Sequence, residues 1–144
     1  MQKIENSDTG IQNLSKEIYM INKIGKITIY VEDQEQAKSF WIEKLGFVLK
    51  LEQPMGPNAT WIEVGPNEDE FTTLILYSKS LMEKQQPSKV AHPSVLFSTA
   101  DIEAAYEDMK QKGIKVDELL KMPYGNMFVF YDQDGNEYML REDK

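Results

Sequence analysis

The chain of 144 residues contains one histidine, His92, and no cysteine. Without cysteine there is no thiolate nucleophile, no zinc–thiolate centre, no redox pair and no disulfide framework. Chemistry must come from His92, from carboxylates such as Glu63 and Glu137, and from cations and phenols such as Lys26, Tyr30, Tyr124 and Arg141. His92 could ligate a metal, act as a base, or start a strand. Pro93 follows it, and proline favours strand starts and edges. One imidazole without a second makes a poor metal site, so a strand-edge or subunit-contact role is expected. Lys26 has three open readings. Its stem can lie on apolar surface with the ammonium in water. Its ammonium can hold an anionic or carbonyl oxygen of a ligand. Burial can lower its pKa and make it a base or Schiff-base former.

These residues sit on elements that occur twice. Residues 26–33 read KITIYVED, with Ile27, Ile29 and Val31 alternating with Lys26, Thr28 and Tyr30, the pattern of a half-buried strand. A helix follows, carrying Ala37, Phe40, Trp41 and Leu45, opened by Asp33 and stopped by Gly46. Phe40 and Trp41 belong to its core stripe. Strands are predicted near 47–52, 59–64 and 71–77. The order then repeats: SVLFST at 94–99, a helix from Asp101 to Gly113, and strands near 114–119, 126–131 and 137–141. Two βαβββ modules, about 23–77 and 91–142, are inferred, joined by a polar linker at 78–90. DQDGN (132–136) reads as a hairpin turn, since its glycine comes too early for an EF-hand calcium loop. Residues 1–22 form an extension in which Ile11, Leu14, Ile18 and Ile21 could make a helical stripe.

The net charge of −8 disfavours nucleic acid and anionic lipid as partners. No apolar run reaches the length of a membrane span, and the N-terminus lacks the apolar core of a signal peptide. A cytoplasmic protein is expected.

Three stretches, ITIYVEDQEQAKSFWIEKLGF, DIEAAYEDMKQKGI and FYDQDGNEYML, resemble the vicinal oxygen chelate superfamily of glyoxalases, extradiol dioxygenases, fosfomycin-resistance enzymes and bleomycin-resistance proteins. The resemblance implies an α+β fold, a single domain over 23–144 whose paired modules curl into an open, U-shaped β-barrel. Many relatives are homodimers, and a homodimer is expected here. Metal-using members place four ligands on the concave face. Matched from Asp33, Asp101 and Gly135, and through the turn before 72, those positions read Lys26, Leu74, Ser94 and Met139. Lysine is a cation without a free lone pair, and leucine has no donor. Serine and methionine are poor ligands for hard or borderline divalent ions. The expectation is therefore no metal and no cofactor.

Alternation places Lys26, Thr28, Tyr30, Thr72, Leu74 and Leu76 on the concave face of the first module, and Ser94, Leu96, Ser98, Glu137, Met139 and Arg141 on that of the second. Trp61 can stack on a flat ligand, and Tyr124, in the MPYGNM loop, can rim the cleft. Such a lining, apolar with a few polar anchors, suits a small molecule. The expected function is a metal-free, glyoxalase/bleomycin-resistance-like protein that binds one there. The alternatives are a metal-dependent lyase or dioxygenase of the same superfamily, a metal-free enzyme using Lys26, Tyr30 or Glu137, and an interaction module without a ligand.

Overall fold

Strand β1 (Lys26–Val31) turns Ile29 and Val31 fully inward and leaves Lys26 at its exposed start. A computed structural model describes residues 20–21 and 23–143; the helix expected over 1–22 lies outside the described residues. Asp33 ends the strand and opens α1 (Gln34–Lys38) by accepting the Glu35 and Gln36 amides at 2.9 and 3.0 Å. The helix does not stay α-helical to Gly46. Ser39–Lys44 widens into a π-helical turn, in which the Leu45 amide donates to the Phe40 carbonyl at 3.0 Å. Phe40 and Trp41 are adjacent and both buried. Neighbouring helical positions can share an apolar face about 100° wide, and both rings lie on it here.

Strands β2 (Val48–Pro54), β3 (Thr60–Gly65) and β4 (Thr73–Ser78) complete the first sheet. The polar segment after it is more ordered than a linker. It forms α2 (Lys79–Gln85), capped by Ser78 and half-burying Leu81 and Met82, then a 3₁₀ turn at Pro87–Lys89. Strand β5 (Leu96–Thr99) and helix α3 (Ile102–Gln111), capped by Asp101, open the second module. The predicted strand at 114–119 is irregular. It follows the next-but-one strand through a bridge at Val116 and through hydrogen bonds of Lys115 and Asp117, and regular pairing begins only at β6 (Leu120–Met122). Strands β7 (Gly125–Tyr131) and β8 (Glu137–Glu142) finish the sheet.

The two sheets share one topology, β1-β4-β3-β2 and β5-β8-β7-β6, with β1/β4 and β5/β8 parallel and the other pairs antiparallel. The internal repeat read from the sequence is thus a repeat of structure. A single apolar cluster runs through both modules. Trp41 of the first lies edge-on to Phe97 and Tyr138 of the second, with ring centroids 6.1 and 5.1 Å apart. No helix among the described residues is long and apolar enough to cross a membrane.

The turn between β7 and β8 is built on Asp132. Its buried carboxylate accepts the Asp134 and Asn136 amides, the Asn136 side chain and the Tyr138 hydroxyl, the last at 2.6 Å. This is the hairpin turn expected at DQDGN, with Gly135 at φ 81° where the chain turns left-handed.

Candidate functional site

The pairing of β1 with β4 decides which residues face the cleft. Lys26 stands opposite Thr73, Thr28 opposite Ile75, and Tyr30 opposite Tyr77. Leu74 and Leu76, expected on the cleft side, pair with Ile27 and Ile29 and lie in the apolar core, 4% and 0% exposed. The cause is the run TLILY, which carries no polar–apolar alternation to fix its phase. The cleft-side residues of β4 are Thr73, Ile75 and Tyr77.

The repeat refines the fourth metal position as well. In the second module Met139 stands opposite Leu96, two residues after Ser94. The corresponding pair in the first is Ile75 opposite Thr28, two residues after Lys26. In this register the positions that the resemblance implies read Lys26, Ile75, Ser94 and Met139, and isoleucine is as unable to ligate as leucine. This donor set does not fit a divalent ion. Among the described residues no three His, Asp or Glu side chains gather into a metal-holding group.

At the start of β1 the first sheet instead holds a polar network centred on Glu63 of β3. The Lys26 ammonium donates to Glu63 Oε1 at 2.9 Å, and the Thr73 hydroxyl donates to the same oxygen at 3.1 Å. The Trp61 indole N–H donates to Oε2 at 2.7 Å. Glu63 is 5% exposed. Burial pushes its carboxyl up, but the hydrogen bonds from Trp61, Lys26 and Thr73 and the Lys26 charge outweigh it and hold the group below the usual carboxylate range. The carboxylate is thus buried, ionised and fully engaged. The Lys26 side chain is half exposed, and among the described residues its ammonium bonds only Glu63. Beside the network stand three aromatic rings: Trp61 is edge-on to Tyr77 at 6.3 Å, and Tyr77 to Tyr30 at 6.0 Å.

The second sheet presents a more apolar face. Leu96 stands opposite Met139 and Ser98 opposite Arg141, as alternation predicts. Val129 and Met127 on β7 extend it. Leu96 is 55% exposed. Arg141 reaches across Gly125 and donates to the Tyr124 carbonyl at 2.6 Å, so Tyr124 meets Arg141 through its backbone while its ring is exposed. Ser94 lies just before β5, in a cavity of about 290 Å³ shared with His92, Val129 and Met139.

His92 is a structural pin here. Its Nε2 lies 3.2 Å from the Glu137 carbonyl, which only accepts, so Nε2 carries the proton. Its ring stands edge-on to Tyr138 at 4.8 Å, and Nδ1 is buried without a partner. The imidazole thus ties the segment entering β5 to the start of β8, the strand-edge role expected from Pro93.

Among the described residues, hydrogen bonds join Lys26 and Trp61 through Glu63, and Tyr124 to Arg141, but they do not link the two groups. Thr73, Ile75 and Tyr77 were not singled out from the sequence, and Glu63 was named there only as one available carboxylate. Glu63 shares a face with Trp61, but one acid among 24 Asp and Glu carries no signal by itself.

Residues 23–140 match the model of the Glyoxalase/Bleomycin resistance protein/Dioxygenase superfamily. The uncharacterized protein YetH of Bacillus subtilis (strain 168) is 42% identical over 124 residues, covering 85% of this chain and all of YetH. Among solved structures, TnmS3, an antibiotic binding protein from Streptomyces sp. CB03234, superposes with a TM-score of 0.73 at 29% identity, over 88% of this chain and all of that one. A superfamily member from Sphaerobacter thermophilus DSM 20745 superposes with a TM-score of 0.75 at 28% identity, over 87% of this chain and all of its own. The doubled βαβββ topology and these matches agree: the chain belongs to the glyoxalase/bleomycin resistance protein/dioxygenase superfamily.

Proposed function

We propose that this protein binds a small molecule on the cleft faces of its sheets, without a resident metal. The observation that carries the reading is the Lys26–Glu63–Trp61–Thr73 network. Where metal-using relatives need lone pairs aimed at a cation, this chain has an ammonium already paired with a buried carboxylate. The aromatic rings of Trp61, Tyr77 and Tyr30 supply flat apolar surface, and Leu96, Met139 and Arg141 a second, softer lining. The site residues in this reading are Lys26, Thr28, Tyr30, Trp61, Ser94, Leu96, Tyr124, Met139 and Arg141, with Glu63, Thr73, Ile75 and Tyr77 added and Leu74 and Leu76 left out. The likeness to an antibiotic binding protein supports binding over turnover. The protein acts as a cytoplasmic homodimer.

The test uses untagged protein. Titration calorimetry with nickel, zinc, iron(II) and manganese is expected to give no stoichiometric binding. A thermal-shift screen of small aromatic compounds is expected to give stabilising hits that Trp61→Ala removes. Tight one-to-one metal binding would overturn the reading in favour of a metal-dependent lyase or dioxygenase. Sedimentation of the same sample is expected to give a dimer.

A further inference from the structure

The network on the first sheet is asymmetric in what it offers a ligand. Glu63 is sealed: its oxygens carry three donors and its side chain is 7% exposed. Lys26 is open: its side chain is 49% exposed and its ammonium has three donors, of which Glu63 takes one. An incoming molecule therefore meets donors and not the carboxylate. Reaching Glu63 with a cation would require breaking a 2.9 Å charged hydrogen bond and expelling Lys26. Glu63 also fixes the ammonium against the sheet, which removes part of the entropy cost that a free lysine pays on binding. The pair is neutral overall, so it suits one oxygen bearing a single or partial negative charge better than a dianionic phosphate. The chain places the shelf beside this hook. Trp61 is partly exposed and spends its indole N–H on Glu63, so what it can offer a ligand is ring surface, with the Tyr77 ring perpendicular to it at 6.3 Å.

Resting on the small-molecule reading above, we propose that Lys26, braced by Glu63, is the polar anchor for a planar aromatic ligand bearing a carboxylate, phenolate or carbonyl oxygen, with Trp61 as the stacking surface. The ligand oxygen takes the unspent ammonium hydrogens, and the ring lies against Trp61 and its tyrosine neighbours. Glu63 is a positioning residue: it touches Lys26 and not the ligand.

The probes are 2-naphthoate and 2-naphthylmethylammonium, the same ring with opposite charge. They are titrated into the full chain while the indole N–H resonances of its two tryptophans are followed by NMR. 2-Naphthoate is expected to shift the Trp61 resonance, leave that of buried Trp41 in place, and bind about tenfold or more tighter than the ammonium compound. Lys26→Met is expected to weaken 2-naphthoate about tenfold or more, whereas Lys26→Arg keeps most of the affinity. Because Lys26 is half exposed at a strand start, both variants fold, and their amide spectra check this. Preference for the ammonium compound, or 2-naphthoate binding that Lys26→Met leaves unchanged, overturns the assignment while leaving a cleft that binds small molecules. No shift with either probe into the millimolar range also overturns it. The broader reading falls only if the wider thermal-shift screen fails as well.

Discussion

Glu63 shows how differently two halves of an ion pair can be worth. Removing the carboxylate leaves the Trp61 indole, the Thr73 hydroxyl and the Lys26 ammonium short of an acceptor. Glu63→Ala is expected to cost about 1–3 kcal/mol in urea denaturation. Removing the partner costs less, because Lys26 is half in water and its charge is screened: Lys26→Met is expected to cost under about 1 kcal/mol. A reversed order would mean that the network is not centred on Glu63. The same contrast explains what could be read in advance. Lys26, Tyr30, Met139 and Arg141 declare their faces by alternating with apolar neighbours. Glu63 does not, because its importance lies in partners 10 and 37 residues away that only the folded sheet brings to it.

At the scale of elements, local signals predicted well wherever one residue type does one job. Asp33 and Asp101 cap the helices they were expected to open. The phase of β4 could not be read, because a strand apolar on both sides gives the same pattern in either register, and the pairing with β1 settles it. The π-helical turn was equally hidden: the sequence places Phe40 and Trp41 together on the core stripe, but nothing in it marks the wider turn that carries them. Trp41→Ala is expected to cost about 3–5 kcal/mol, as it empties a site that both modules share. Gly125 makes a sharper test. It has φ 142°, and a Cβ there would lie 3.0 Å from Arg141 Nε. Gly125→Ala is expected to cost about 1–3 kcal/mol and to release the Arg141 contact with Tyr124. A Tyr124 exposure to proteolysis unchanged from wild type would count against that coupling.

Over the whole molecule, titration should bound the stable range from both sides. The Glu63 carboxyl is held below its ordinary 4.5, so the stability it confers is complete above that pH and is lost as the pH falls through the lower, folded value. Burial pushes the Tyr138 phenol up, and its hydrogen bond to Asp132 adds to this. Its contribution is complete below the ordinary phenol value of 10.0 and declines as the pH rises above it. Stability measured across pH is expected to fall at both ends, and Glu63→Gln to flatten the acid limb. Tyr138→Phe is expected to flatten the alkaline one.

The strand order also bears on synthesis. The first strand of each module pairs with its last, so β1 has no neighbour until β4 exists, and β5 none until β8 exists. As the chain leaves the ribosome, β2 to β4 and β6 to β8 can add one after another, but the first strand of each module must wait for the last. Until then that strand is unpaired, and its parallel pairing spans the whole module in sequence. Translation therefore meets two moments of exposure, and the second ends only once β8 has emerged. Until then Trp41 faces a core that lacks Phe97 and Tyr138.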